Sequence, residues 1–531
     1  MDRRKFLQMG AMAGAAALTY KPSDADAKPK KPVTIGPRNP AGRPSLIPLG
    51  GRDVLIIGGG LAGLSAALEL ADRGYEVTIR EASDVIGGRL ATRQLETGAG
   101  TFNVEHGLHM WFHNYHNFAD VRRRLNLDSA FRAYDEIHFV YRDYEPEILK
   151  SDPPIYPLNL IRLLQRSPNM NLFSAFRQLG MLRDVVWYDH DTIFDRLDDQ
   201  TFESWARSRV SPTFYDVIMQ PAASVTLNSP EVVSAAEMIQ MMHLYFMSGP
   251  KAMNREVTTT DHGTAVIDPW VAYLKRLGVT IELNSPVQGL VFEDGNPVGE
   301  VGDDRRYDWV VLATAVPGVK AIMNGSRASD GRSERVLRDL QERLSELKVA
   351  PPYKVARYWF DRPMDAELPD IIETPQHPPI NLVTQFHKLE SESAEWADRT
   401  RGSVLEFHLY ANDELARMSD DEVWPYIKDT AIELIPGLAS ARIVGQTVGS
   451  YHDFTSYEVG QGEIRPGSDF PQQVGAERMS LAGDWVATEY PAALMEKAVS
   501  TGREAANLCL LHDDVRQVPL VVTNSRGPGL L

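Results

Sequence analysis

The stretch Val104–Phe118, VEHGLHMWFHNYHNF, gathers four histidines, Glu105 and the aromatic residues Trp111, Phe112, Tyr115 and Phe118. His106, His109, His113 and His116 recur at intervals of three, four and three. On a helix that spacing would align them for a metal ion. Gly107 interrupts such a helix, and the opening Val-Glu-His reads as strand. An exposed loop would leave the aromatic residues in water. The third reading is the wall of a pocket. Within it, Glu105 and His109 are candidates to orient a site or take up a proton. Each could equally serve by hydrogen-bonding buried backbone.

The elements that must position this stretch flank it on both sides. Residues 53–57, DVLII, form a buried-strand run, and GGGLAG follows at once. LSAALELADRGY then has helical spacing, and EVTIRE predicts a second strand ending on Glu81. Gly58 permits a tight turn, Gly60 lets backbone approach a pyrophosphate, and Gly63 lets the helix close on the sheet. Glu81 lies where a carboxylate binds ribose hydroxyls. In this context the glycines predict dinucleotide binding. A second turn, Gly87-Gly88-Arg89, adds a cation suited to the far side of the pyrophosphate. Near the other end, a short strand from Met479 to Ala482 runs into Gly483-Asp484, and a helix is expected from about Pro491. A carboxylate at a strand end can accept hydrogen bonds from a ribityl chain. A helix N-terminus can stabilise negative charge on a reduced flavin ring.

GGGLAGLSAALELADRGYEVTIREASDVIGGR and LAGDW…PAALMEKAVSTGREAA resemble the two ends of the flavin-containing amine oxidase and carotenoid desaturase superfamily. The resemblance implies an α/β fold. A Rossmann-type FAD-binding domain, of the two-dinucleotide-binding-domain flavoprotein kind, would carry an inserted α+β substrate domain. It implies FAD bound across both ends of the chain. Glu81 would hold the adenosine ribose. Gly58, Gly60, Gly63, Gly88 and Arg89 would meet the pyrophosphate. Val287 would bond the adenine through its backbone, Gly483 and Asp484 would hold the ribityl or pyrophosphate region, and Met495 would sit near the flavin ring. The opening stretch is similar to a segment of plant-type phytoene and zeta-carotene desaturases, matched here by Glu105, Gly107, Leu108, His109, Trp111, Phe112, Tyr115 and Asn117. That segment lies against the flavin and a substrate tunnel, so the stretch is read as a pocket wall. His106, His113 and His116 depart from the common pattern, which leaves the substrate open.

The chain has 531 residues, enough for two or three lobes. Its net charge of −17 argues against nucleic-acid partners. Cys509 is the one cysteine, which excludes an intramolecular disulfide and cysteine-rich zinc sites. No apolar run is long enough for an ordinary membrane span. Residues 1–27, with Arg3, Arg4, Phe6 and Leu7 and an Ala25-Asp26-Ala27 cleavage motif, resemble a twin-arginine export signal. A periplasmic or other extracytoplasmic location follows from it.

Residues 28–50 read as a Pro/Gly-rich linker. Residues 51–145, 251–325 and 440–515 are assigned to a discontinuous FAD-binding domain. Residues 146–250 and 326–439 are assigned to a substrate domain with a helical lobe, and 516–531 to a tail. YKVARYWF (353–360) and VLEFHLY (404–410) alternate like strands with one buried face. Met238, Met241, Met242 and Met247 are read as core. Residues 389–402 are read as a solvated loop or helix face. No metal is expected.

The function that follows is FAD-dependent oxidation of an apolar small molecule, carotenoid or polyprenoid desaturase-like, with hydride passing to the flavin N5. Quinone or oxygen would accept the electrons, and peripheral membrane contact is expected through the helical lobe and linker. An exported flavin amine oxidase, with Trp485 and Tyr490 flanking a compact pocket, is the alternative. A redox-inactive flavin-binding scaffold is a third reading.

Overall fold

The computed structural model describes residues 32–46, 52–150, 158–171, 178, 183–249 and 251–527. The expected export signal, residues 28–31 and 47–50 of the linker, parts of the helical reading over 173–187 and the last four residues lie outside the described residues.

The nucleotide lobe is built on five parallel strands: β1 (Asp53–Ile57), β2 (Glu76–Arg80), β3 (Thr280–Glu282), β4 (Trp309–Leu312) and β5 (Met479–Leu481). Across the sheet their order is β3-β2-β1-β4-β5. Helix α1 (Leu61–Ala71) follows β1, and helix α2 (Leu494–His512) follows β5. Both faces of this sheet are covered, which explains its unbroken apolar runs. In β1, Val54 and Ile56 join the core shared with α1. Leu55 and Ile57 point the other way, toward helices Val316–Gly325 and Gly331–Ser345.

The two ends of the chain meet because glycines remove bulk where backbones converge. A Cβ on Gly63 would stand 1.9 Å from the Gly58 carbonyl oxygen, so only glycine lets α1 lie this close to the β1 turn. A Cβ on Gly502 of α2 would stand 2.3 Å from the Ala62 carbonyl oxygen of α1. The α1–α2 contact is completed by the Ser65 hydroxyl, which donates to the Val499 carbonyl at 2.8 Å, and by a buried Arg503–Glu69 ion pair at 3.0 Å.

The second lobe is a seven-stranded mixed sheet. Its order is Ile443–Tyr451, Tyr353–Phe360, Ser403–Leu409, Leu382–Gln385, Ile371–Glu373, Glu136–Phe139, Glu147–Lys150. All eight residues of Tyr353–Phe360 and all seven of Ser403–Leu409 are buried, so the expected one-faced alternation is corrected to two covered faces. Ala356, Tyr358 and Phe360 pack on helix Asp420–Leu434. Val355 and His408, on the opposite face, look into the cavity described below.

The structure departs from the sequence-derived divisions at several points. Strands Glu136–Phe139 and Ile443–Tyr451 belong to the second sheet, because hydrogen-bonded pairing and not chain proximity sets membership. Helix Gly331–Ser345 buries Val336, Leu337, Leu340 and Leu344 against the nucleotide sheet. Residues 391–400 form a helix that buries Trp396 and Ala397 and turns Glu395, Asp398 and Arg399 to solvent, a solvated helix face over a buried one. Val33–Ile35, inside the expected linker, pairs with Leu520–Val522. Met238, Met241 and Met247 are core residues, as read.

Candidate functional site

A cavity of about 730 Å³ runs from the glycine turns of the nucleotide lobe to the inner face of the seven-stranded sheet. At the nucleotide end, Gly58 has φ +108°, and a Cβ there would meet the Ala313 carbonyl oxygen at 2.7 Å. Gly60 is different. It has an ordinary φ of −79°, and the nearest atom to a Cβ would be the Gly88 Cα at 3.9 Å. Gly60 therefore keeps space open toward the cavity. The Gly87 N–H donates to the Gly59 carbonyl at 2.9 Å and ties the two glycine turns into one cradle.

Glu81 is held by two backbone donors, the N–H of Gly59 and the N–H of Ser83, each at 2.8 Å. A carboxylate oxygen has more than one acceptor direction, so both oxygens can still receive ribose hydroxyls. Asp484 pairs with Arg89 through one oxygen at 2.7 Å. Its other oxygen, Oδ2, is buried without a hydrogen-bond partner among the described residues. A lone buried carboxylate oxygen is costly unless a ligand donor reaches it. Burial opposes the charge on Arg89, but Asp484 and then Asp453 more than offset it, so the guanidinium pKa is raised. Leu494 opens α2 in a left-handed conformation, φ +52°, uncommon for a side chain of its size. Leu494, Met495 and Ala498 bring α2 into the wall.

Gly58, Gly60, Glu81, Gly88, Arg89, Val287, Gly483, Asp484 and Met495 all line this cavity. Gly63 lies behind it, in the role of a packing glycine. The open cradle and the orphaned Asp484 oxygen fit a bound dinucleotide with a hydroxylated chain.

The stretch from Val104 to Phe118 forms part of the wall between the two lobes. His106, Leu108, His109, Met110, Phe112 and Tyr115 line the cavity. Trp111 and Phe118 turn into the core and stack at 4.1 Å. Asn117 does not reach the cavity. Its amide donates to Glu496 of α2 at 2.9 Å and anchors the stretch to the cofactor helix. The histidines do not gather. His106 stacks on Tyr451, His109 bonds the Gly107 carbonyl, His113 is exposed, and only His116 starts a helix.

Glu105 and His109 have different environments. Glu105 accepts from the His262 backbone N–H at 2.8 Å and from its Nδ1 at 2.5 Å. The pair is buried behind His109, and Glu105 lines only a small cleft outside the main cavity. Burial disfavours the His262 cation, but Glu105 outweighs it and raises the pKa. His109 is on the main wall. Burial, then His262, pushes its pKa well below the usual value, so it is neutral. Its Nδ1–H donates to Gly107, which leaves Nε2 as an acceptor.

Sequence reasoning did not single out the residues at the far end. The strand VLEFHLY places Glu406, His408 and Tyr410 at alternate positions on one face, a pattern visible in the sequence once the strand is assigned. His408 Nε2 lies 2.8 Å from Glu406, and its Nδ1 lies 2.5 Å from the Tyr410 hydroxyl. Arg357 donates to Glu406 at 2.9 Å and to Glu390 at 3.3 Å. Gly107 has φ +111°, and a Cβ there would meet His408 Cε1 at 2.7 Å, which accounts for the glycine inside the stretch. Glu373 also lines the cavity, and nothing in its local sequence marks it. Trp485 and Tyr490 do not line it. Trp485 is fully buried and donates to the Thr314 carbonyl, and Tyr490 packs with Leu520 and Val522.

Residues 61–510 match the family described as flavin containing amine oxidoreductase. The chain belongs to that family. This flavin-containing oxidoreductase is 30% identical over 477 residues to the carotenoid phi-ring synthase of Streptomyces griseus, covering 87% of this chain and 88% of the relative. It is 22% identical over 489 residues to the 15-cis-phytoene desaturase of Synechococcus elongatus, covering 87% and 97%. Its fold is that of reduced UDP-galactopyranose mutase, at TM-score 0.60 and 16% identity over 87% of this chain and 96% of that one. The oxidoreductase is FAD-dependent and carotenoid-desaturase-like, with a Rossmann-type FAD domain and an added substrate domain.

Proposed function

We propose that this flavin oxidoreductase removes two hydrogens from a largely apolar polyprenoid held in the cavity. The observation that carries this reading is the cavity itself. It is long, continuous from the glycine cradle to the second sheet, and walled by Leu108, Met110, Phe112, Val355 and Leu382 on its substrate side. The printed names of the carotenoid relatives support it. FAD, when bound, supplies an acceptor for a hydride, with quinone or oxygen as the final oxidant. The chain's part is to hold the substrate, exclude water and receive the proton that leaves beside the hydride. His109 is the residue placed to receive that proton, because it lines the wall and its Nδ1–H bond to Gly107 leaves Nε2 as an acceptor. Glu105 acts one step back, by holding His262 next to the His109 ring, 5.2 Å between centroids.

The test is anaerobic bleaching of the bound flavin by carotenoids, squalene-type lipids and amines. Bleaching by amines alone would overturn the reading. His109→Ala should keep FAD and lose most of the bleaching rate, about 10²- to 10⁴-fold for a lost proton acceptor. Unchanged bleaching would remove His109 from the chemistry.

The Arg3-Arg4 leader supports export in the folded state to an extracytoplasmic site. Fractionation of cells expressing the full chain and an Arg3→Lys, Arg4→Lys variant tests this, and equal export of both would refute it. No helix among the described residues is long and apolar enough to cross a membrane. Contact with a membrane surface, from which an apolar substrate is collected, is tested by co-sedimentation with anionic vesicles. Protein left wholly in the supernatant would exclude it.

A further inference from the structure

The substrate end of the cavity is apolar except at one place. Ile137, Val225, Leu227, Ile371 and Leu382 line it, and Glu373 and Tyr410 stand among them. Glu373 closes the strand Ile371–Glu373, opposite Leu382 in register. The one hydrogen-bond contact of its carboxyl among the described residues is Ser224 Oγ, at 3.5 Å. The Ser224 hydroxyl already donates to the Pro221 carbonyl at 2.8 Å. The Glu373 carboxyl therefore has no close partner of its own. Burial pushes it up to about 8, so at neutral pH it is largely protonated and can donate.

Tyr410 has the complementary character. Where His408 donates from Nε2 to the Glu406 carboxylate and holds no proton on Nδ1, that Nδ1 accepts from the Tyr410 hydroxyl. The Tyr410 proton is thus committed to His408, and the lone pairs of its oxygen are left to accept. Burial and then the nearby Glu373 raise the Tyr410 pKa, which keeps the phenol neutral.

We propose that Glu373 and Tyr410 form a hydroxyl-binding station in the apolar cavity, and that the substrate is a polyprenoid carrying a hydroxyl group. The inference rests on the polyprenoid reading above and narrows its substrate class. A hydroxyl accepts from Glu373 and donates to the Tyr410 oxygen, which pairs the Glu373 carboxyl and fills acceptor capacity on Tyr410 that a hydrocarbon would leave open. Each net hydrogen bond contributes about three- to tenfold in affinity, so the hydroxylated ligand should bind about ten- to a hundredfold tighter.

The test uses FAD-loaded protein and two probes, β-carotene and its monohydroxylated counterpart, with binding read by quenching of tryptophan fluorescence. The wild type should prefer the hydroxylated probe about ten- to a hundredfold. Glu373→Leu and Tyr410→Phe should each lose most of the preference, and Glu373→Gln, which still donates, should keep most of it. Flavin content, measured on every variant, should not change. Equal wild-type affinity for the two probes would overturn the station. So would a preference that survives both Glu373→Leu and Tyr410→Phe. Flavin bleaching by the same probes scores the polyprenoid reading separately. A hydroxyl preference without bleaching upholds the station and sinks that reaction, bleaching without preference does the reverse, and failure of both probes to bind refutes both.

Discussion

Two glycines of one turn should respond in opposite ways to the same added methyl. At Gly63 a Cβ would lie 1.9 Å from the Gly58 carbonyl oxygen, and such contacts essentially never fall below 3.0 Å. The helix would have to retreat by about 1.1 Å. All eleven residues of α1 are buried between the sheet and α2, so the retreat would pull apart a packed core. Gly63→Ala should cost about 3 kcal/mol or more, at the upper end of overpacking. At Gly60 the backbone is already compatible with alanine, φ −79° and ψ −175°, and nothing lies within 3.9 Å of the new methyl. Gly60→Ala should therefore leave the FAD-stripped protein as stable as wild type, or about 0.4–1 kcal/mol more stable. The methyl would occupy the space through which a pyrophosphate approaches. Loss of one charge-assisted hydrogen bond, about 1.5–3 kcal/mol, would weaken FAD about ten- to a hundredfold. Thermal unfolding of stripped protein and FAD titration measure the two effects separately. Wild-type FAD affinity in Gly60→Ala, or normal stability in Gly63→Ala, would refute the assignment of space to ligand and to packing.

Gly107→Ala should retain FAD but slow flavin bleaching by substrate, because its Cβ would displace the His408 ring from 2.7 Å and its φ of +111° disfavours alanine. Bleaching at the wild-type rate would show that His408 does not depend on this contact. The His262–Glu105 pair should make stability depend on pH. The folded pKa of His262 is raised by Glu105, so its contribution is complete below about pH 6.5 and is lost as pH rises through the folded value. In Glu105→Gln the largest charge opposing burial is gone and only Asp261 and Glu390 still favour the cation, so the trend from pH 6 to 8 should flatten, as unfolding scans would show. Glu373 is raised to about 8 by burial, so its contribution is complete below about pH 4.5 and fades toward pH 8 and above. Glu373→Gln should remove that decline. An unchanged pH profile for Glu373→Gln would mean the carboxyl is ionised in the folded protein.

The cofactor half of the site was legible in the sequence because its signals are local. Gly58, Gly60, Gly63 and Glu81 act within one strand–turn–helix–strand unit, where spacing along the chain nearly equals geometry. The stretch at Val104–Phe118 was legible as buried from its aromatic content, and as a wall from its resemblance to the desaturase segment. Its internal division was not. Trp111 faces the core and Phe112 the cavity, and Glu105 turns away from the cavity toward His262, a residue 157 positions distant.

At the substrate end Glu373 had no local signal, and the alternation of Glu406, His408 and Tyr410 did not say which side meets the cavity. Glu373, His408 and Tyr410 come from strands whose neighbours are set by hydrogen-bonded register across the seven-stranded sheet. The side that faces the cavity is decided by what covers the other side. The sequence by itself determined the nucleotide turn and the burial of the histidine stretch, since each follows from contacts a few residues apart, and the cofactor class through the resemblance of its two ends to a flavoprotein superfamily. Only the tertiary structure decided which buried polar groups share a cavity. A carboxyl becomes a neutral donor through the low dielectric and the partners around it, and those are supplied by segments far apart in the chain.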